Sequence, residues 1–249
     1  MSDVTEEVVK IVIPSYMRAE RVSTMQYVAN CSICVPESEV EAYKKHNPGV
    51  EIIAHPDSIK GISPKRQWIY EQFPNVFMVD DDITGIARMM MPGKYDMTDE
   101  MLEVDERNLT PEQVYEIIQS VAFTAKEMGA KLFGFTSAVN PRDVRPQRPF
   151  SMNGFISGHS MGLLEGSKLY FPDDTDARTV EDHFVCFLNA YYHRFSWIDN
   201  RYSFLHADTF KNEGGQSNWR TVEQEKKGFM YLKRHFGEAV QHKPLSPTH

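Results

Sequence analysis

The sequence predicts an α/β fold, a mostly parallel sheet flanked by helices, and three observations carry that expectation. Short apolar runs recur at residues 8–13, 33–35, 51–54 and 76–79, each the length of a buried strand. The first three close on prolines, Pro14, Pro36 and Pro56, which end a strand in a loop. Segments of helical composition fill the gaps at 37–46 and from 63 onward. Strand and helix alternating over short connections is the pattern of a parallel sheet, whose neighbouring strands need a crossover between them.

Taken in order, the acidic lead-in at 1–7 precedes the β-branched first strand, which runs into Pro14, Ser15 and Tyr16. The helix after Val35 ends near Asn47, Pro48 and Gly49. Ser63 and Pro64 look like the N-cap and first position of the next helix, which continues through Trp68, Ile69 and Phe73. Residues 87–109 break the rhythm, a length of connection expected of a lid, a binding loop or a disordered segment. Thr110, Pro111 and Glu112 open a clear helix with Val114, Ile117, Ile118, Val121 and Ala125 on one face, stopped at Gly129. A strand follows at 132–135, then a basic, proline-containing loop with Arg142, Arg145 and Arg148. Residues 155–164 read as one or two strands interrupted by Gly158. A helix is expected over 179–193 with Phe184, Val185, Leu188 and Tyr191 inward, a strand at 202–205, a glycine-containing loop at 212–216 and an amphipathic helix at 219–236. The tail at 244–249 is expected to be disordered.

At 249 residues, 41% apolar and 25% charged, the chain is expected to be a single soluble domain spanning 1–249. A net charge of -8 and a pI near 5.6 argue against a generally nucleic-acid-coated surface, although a local basic patch is compatible with them. No apolar run reaches the roughly 18 residues of a membrane span, and no signal peptide is visible, so a cytoplasmic protein without membrane contact is expected. Cys31 and Cys34 have redox or metal spacing but no second pair, and with Cys186 they read as reduced, packed thiols.

Four groups carry the chemistry. Asp80, Asp81 and Asp82 follow the run at 76–79 directly; carboxylates are too costly to bury unpaired, so they are expected at the strand's exposed end, able to hold a divalent cation or to form an acidic turn. Lys65 and Arg66 stand at a helix start, where a cation is disfavoured unless an anion binds there; a phosphate site and two solvated cations are both compatible. Glu181 and Asp182 are either a general base or, with Thr179, part of a capping box. His206 at a strand end is a metal ligand or a packed histidine.

Read together, the Ile11–Arg18 stretch, Lys65-Arg66, Val79-Asp80-Asp81-Asp82, Glu181-Asp182 and His206 resemble the GT-A class of nucleotide-sugar glycosyltransferases, most closely the small TET-associated type of DNA bacteriophages. The resemblance implies a Rossmann-type GT-A domain with a donor half over 8–86, an acceptor half with insertions over 110–216, and a C-terminal helix and tail over 217–249. It implies that Pro14, Ser15, Tyr16 and Arg18 line the nucleotide pocket, with Lys65 and Arg66 near the base or diphosphate. Asp80 and Asp81 fall with the nucleotide group, and Asp80, Asp82 and His206 with Mn2+ or Mg2+. Asp182 or Glu181 becomes the base. The donor is then a nucleoside-diphosphate sugar, and the acceptor a hydroxymethylated pyrimidine in phage DNA within the host cytoplasm. Two other functions fit the same acids, a sugar-phosphate nucleotidyltransferase and a non-catalytic nucleotide- or DNA-binding module.

Overall fold

The computed structural model describes residues 7–90, 109–206 and 221–241. The expectations for 91–106, for 207–216 and for the 244–249 tail lie outside the described residues. In chain order the strands are β1 (Lys10–Pro14), β2 (Cys31–Pro36), β3 (Glu51–His55), β4 (Val76–Val79), β5 (Ile83–Arg88), β6 (Leu132–Thr136), β7 (Phe150–Ser151), β8 (Ser160–Leu163) and β9 (Trp197–His206). The helices are α1 (Val40–His46), α2 (Ile62–Gln72), α3 (Pro111–Glu127), α4 (Glu181–Tyr192) and α5 (Val222–Phe236).

All strands join one sheet in the order β3-β2-β1-β4-β8-β6-β9-β5, with β7 paired to β9. The β3-β2-β1-β4 half is wholly parallel. In the other half β8 runs antiparallel between β4 and β6, β9 is parallel to β6, and β5 and β7 are antiparallel to β9. The sheet is therefore mostly parallel, as expected. From β1 the chain fills β2 and β3 on one side, then returns to β4 on the other. That reversal opens a crevice at the carboxyl ends of β1 and β4, where open α/β sheets bind ligands.

Alternation along each strand feeds two cores. Ile11, Ile13, Ile33, Val35, Phe77 and Val79 face the layer holding α1 and α3, together with Tyr43, Val114, Ile118 and Val121. Val12, Cys34, Val76 and Met78 face the layer of α2, α4 and α5, with Ile69, Phe184, Val185 and Leu232. Phe77, Phe133, Phe135 and Phe204 pack ring to ring at 4.9–5.8 Å inside the first core. Gly162 lies opposite Phe133 in the β6–β8 register, and a Cβ there would meet the Phe133 ring at 2.1 Å. Cys31 and Cys34 leave β2 on opposite faces, so the pair is two packed thiols, as expected.

Thr110 caps α3 in a full capping box with Gln113, as its sequence predicts. Several other expectations are corrected. β5 is a strand the sequence did not announce, and its last residues, Ala87 and Arg88, run into the 87–109 stretch expected to lack structure; Ile83 and Ile86 bury as it pairs with β9, which is itself longer than the expected 202–205. The N-cap of α2 is Gly61, not Ser63, whose hydroxyl instead donates to the Pro172 carbonyl; Pro64 is still tolerated because first-turn amides need no helical partner. α4 starts at Glu181 with Val180 at its cap, so Thr179 forms no capping box. Tyr191 is exposed, because Asn189 takes the inward place at the helix end and its side-chain amide holds the Phe195 carbonyl at 2.9 Å. Only Ser160–Leu163 of the 155–164 stretch is a strand; residues before it form a turn around Gly158.

Candidate active site

The parallel register of β1 and β4 brings their carboxyl ends side by side, so Ser15 and the aspartate run meet. The Ser15 hydroxyl donates to Asp81 Oδ2 at 2.5 Å and Arg18 Nη1 donates to Asp81 Oδ1 at 2.7 Å. Tyr43 anchors the loop from α1, its phenol 2.7 Å from the Ser15 hydroxyl and accepting the Arg18 amide at 3.0 Å. Both oxygens of Asp81 thus belong to the β1 loop. Burial raises its carboxyl above the usual range, and Arg18 and Ser15 pull against that shift.

Asp80 and Asp82 differ from it. Asp80 Oδ1 accepts Arg66 Nη2 at 2.8 Å, and its amide donates to the His159 carbonyl at 3.1 Å. Asp82 has Arg18 only at 3.5 Å. Burial raises the Asp82 carboxyl, and the charges of Asp80 and Asp81 push it further. Thr24 holds the run from below, donating to the Asp80 carbonyl at 2.5 Å and accepting the Ile83 amide at 3.1 Å.

Lys65 and Arg66 both turn inward. Lys65 is buried, with Nζ donating to the Ser15 carbonyl at 2.5 Å and lying 5.6 Å from the Tyr16 ring, and burial lowers its pKa to about 8. Arg66 is the junction of the site. Its Nη1 donates to Glu181 at 2.9 Å, and its Nη2 donates to Asp80 and to the Gly158 carbonyl at 2.7 Å. Glu181 is buried and its carboxyl is pushed up by that burial, with Arg66 opposing. Asp182 sits one residue on, with Oδ2 accepting the Gly158 amide at 3.1 Å.

Two site residues escaped the sequence reading. Gly158 links α2 to α4, its carbonyl accepting from Arg66 and its amide donating to Asp182, and a Cβ there would lie 2.4 Å from Arg66 Nη1. A glycine interrupting an apolar stretch was its only signal. His159, next along, stacks obliquely on the expected ligand His206 at 5.0 Å, and burial, with His206 and Arg66 adding to it, drives its pKa down to about 4. Tyr16 is exposed beside Lys65, and Pro14 is the last residue of β1. Among the described residues no cluster of three or more His, Cys, Asp or Glu side chains is poised to hold a metal ion. Nor is any described helix long and apolar enough to cross a membrane.

The basic loop is exposed at Arg142, Arg145 and Arg148. Phe150, just beyond it, already stacks on Trp197 at 5.0 Å and lies under the Arg201 guanidinium at 4.8 Å.

Comparison with known proteins identifies the family. A family model described as TET-associated glycosyltransferase matches residues 9–215. Among solved structures, residues 1–349 of S. aureus TarS align over 93% of this chain and 72% of that one, with 11% identity and a TM-score of 0.47. No curated protein matches. With its family model covering most of its length, the chain belongs to the TET-associated glycosyltransferases.

Proposed function

We propose, with membership of that glycosyltransferase family as the premise, that the protein moves a sugar from a nucleoside-diphosphate sugar to the hydroxyl of a hydroxymethylated pyrimidine in DNA, with Mn2+ or Mg2+ bound. The observation that carries this reading is the division of labour among the three aspartates. Asp81 is fully engaged by Ser15 and Arg18, and Asp80 is tied on one oxygen to Arg66. Asp82 is left with a 3.5 Å contact and with repulsion from both neighbours. A divalent cation is the partner that relieves such repulsion, and two carboxylates with one imidazole suit Mn2+ or Mg2+ better than a soft metal. Asp82 would be its first ligand, with Asp80 and His206 as the residues to complete the set, although the three side chains are not already gathered around one point; it would supply positive charge against the leaving diphosphate, an effect typically worth several kcal/mol.

The chain's own residues do the rest. The loop from Pro14 to Arg18 receives the nucleotide, held in shape by Tyr43, Asp81 and the Lys65 ammonium. Lys65 and Arg66 act behind the donor: Lys65 fixes the Ser15 carbonyl, and Arg66 locks the Asp80 end of β4 to α4. The acceptor hydroxyl approaches from the Glu181–Asp182 end, where its proton is removed. Arg142, Arg145 and Arg148 meet the DNA phosphates, so acceptor affinity should fall steeply with salt.

Thermal stabilisation by nucleoside-diphosphate sugars with Mn2+ or Mg2+, then transfer to hydroxymethylated and to plain duplex, tests the reading. Stabilisation by one donor and transfer to the modified duplex alone is expected. Asp82→Asn should abolish metal-dependent transfer while the protein still unfolds cooperatively. No stabilisation by any nucleotide sugar would remove the donor site, and full activity in Asp82→Asn would remove the metal.

A further inference from the structure

Asp182 occupies the first turn of α4 with both carboxylate oxygens taken. Oδ2 accepts the Gly158 amide at 3.1 Å, and Oδ1 accepts the His183 amide at 2.7 Å while facing His183 Nδ1 at 3.0 Å. Burial works to raise its pKa, but the bonds from His183 and Gly158 and the Arg66 charge outweigh it and hold the carboxyl below its usual range. A carboxylate stabilised in its charged form is a poor proton acceptor.

His183 has the opposite properties. Its side chain is 49% exposed, its Nδ1 is engaged by Asp182, and Nε2 is therefore the nitrogen that can meet an incoming group. The ring lies flat on Phe155, with centroids 4.2 Å apart and planes 29° apart, and Phe155 is itself exposed. The charged groups around it are acidic: Asp182 and Glu181 on α4 and Glu225 on α5. Burial lowers the imidazole pKa, but these acids overcome it and the net direction is upward. A half-buried carboxylate engaging one ring nitrogen of a half-exposed imidazole, so that the other nitrogen is left for a substrate, is the arrangement of a general base and its positioning partner.

We propose that His183, not Asp182, takes the proton of the acceptor hydroxyl, that Asp182 is its positioning residue, and that Phe155 forms the aromatic wall against which the acceptor is placed. The proposal rests on the glycosyl-transfer reading above. In the step, the acceptor oxygen bonds to the anomeric carbon as that carbon's bond to the diphosphate oxygen breaks. The bonding pair leaves with the diphosphate. The hydroxyl proton passes to His183 Nε2 and from there to water.

Two measurements decide it. In an imidazole NMR titration of the full chain without substrate, His183 should titrate above the ordinary histidine value of about 6.5 with its proton on Nδ1, and Asp182→Asn should move it down. A His183 that titrates at or below 6.5, or that ignores Asp182→Asn, overturns the dyad. In transfer from UDP-glucose with Mn2+ to a hydroxymethylcytosine duplex, His183→Gln should lower kcat by about 10²–10⁴-fold with donor-induced thermal stabilisation intact. Asp182→Asn should lose less and shift the acid limb of the kcat/KM profile to lower pH. Undiminished transfer by His183→Gln overturns this proposal alone. Absence of transfer by the unaltered protein from UDP-glucose and from every other nucleoside-diphosphate sugar offered overturns the functional reading and takes this proposal with it.

Discussion

Arg18 and Arg66 both bind carboxylates of the same aspartate run, yet they do different things. Arg66 is buried between Asp80 and Glu181 and ties the end of β4 to α4 across the sheet. Arg18 sits nearer the surface and ties Asp81 to the β1 loop. One arginine closes the core of the site and the other shapes its rim. The contrast shows why three consecutive acids are not equivalent: each arginine holds one at close range, and Asp82 meets Arg18 only at 3.5 Å.

The comparison breaks first at Arg66. Arg66→Met leaves two carboxylates facing each other without a cation, and removing one partner of a buried ion pair typically costs about 3–5 kcal/mol. Denaturant unfolding should register that loss; a change under about 1 kcal/mol would mean the pairs are not truly desolvated. Arg18→Met strands Asp81, with Ser15 still bonded to it, and removes the long 3.5 Å contact to Asp82, so the expected loss is about 1.5–3 kcal/mol together with weaker donor stabilisation. Should the two variants prove equally unstable, the division into core and rim clamps is wrong.

Gly158→Ala probes the same clamp without removing a charge. The added methyl displaces the Arg66 guanidinium, with about 1–3 kcal/mol lost to overpacking and a misplaced Asp182. Its effect should shrink sharply in an Arg66→Met background, a coupling that a double-mutant cycle measures directly.

A pH-dependent test belongs to Lys65. Burial holds its folded pKa near 8, below the unfolded value of about 10.4, so between those values the unfolded chain binds the extra proton. Stability from this group therefore rises with pH across that window. Unfolding curves of the unaltered protein and of Lys65→Met should draw apart in favour of the former between about pH 8 and 10.4. Parallel curves would mean that Nζ stays hydrated despite its bond to the Ser15 carbonyl.

Much of the parallel half of the sheet was legible because it is local. A β-branched run ending in Pro14, and an apolar run ending before Asp80, specify strands and where they stop whatever else surrounds them, but not that Ser15 and Asp81 are buried there rather than exposed. The other half was harder. β5 and β9 run antiparallel along the sheet's other half, and their alternation is blurred by acids and a bulge, so their pairing is decided by partners more than a hundred residues away. The orientation of Lys65 and Arg66 was invisible for the same reason: a cation at a helix start reads alike whether it faces a phosphate or a buried carboxylate.

The amino-acid order alone thus determined the α/β class, the strand ends, the capping box of α3 and the clustering of acids that a metal or nucleotide site needs. Only the tertiary structure decided which of those acids are already neutralised, that Gly158 must lack a side chain, and that His183 rather than Asp182 is presented outward. Propensity and periodicity act over a few residues, whereas the partner of a buried charge is chosen by the packing of distant elements.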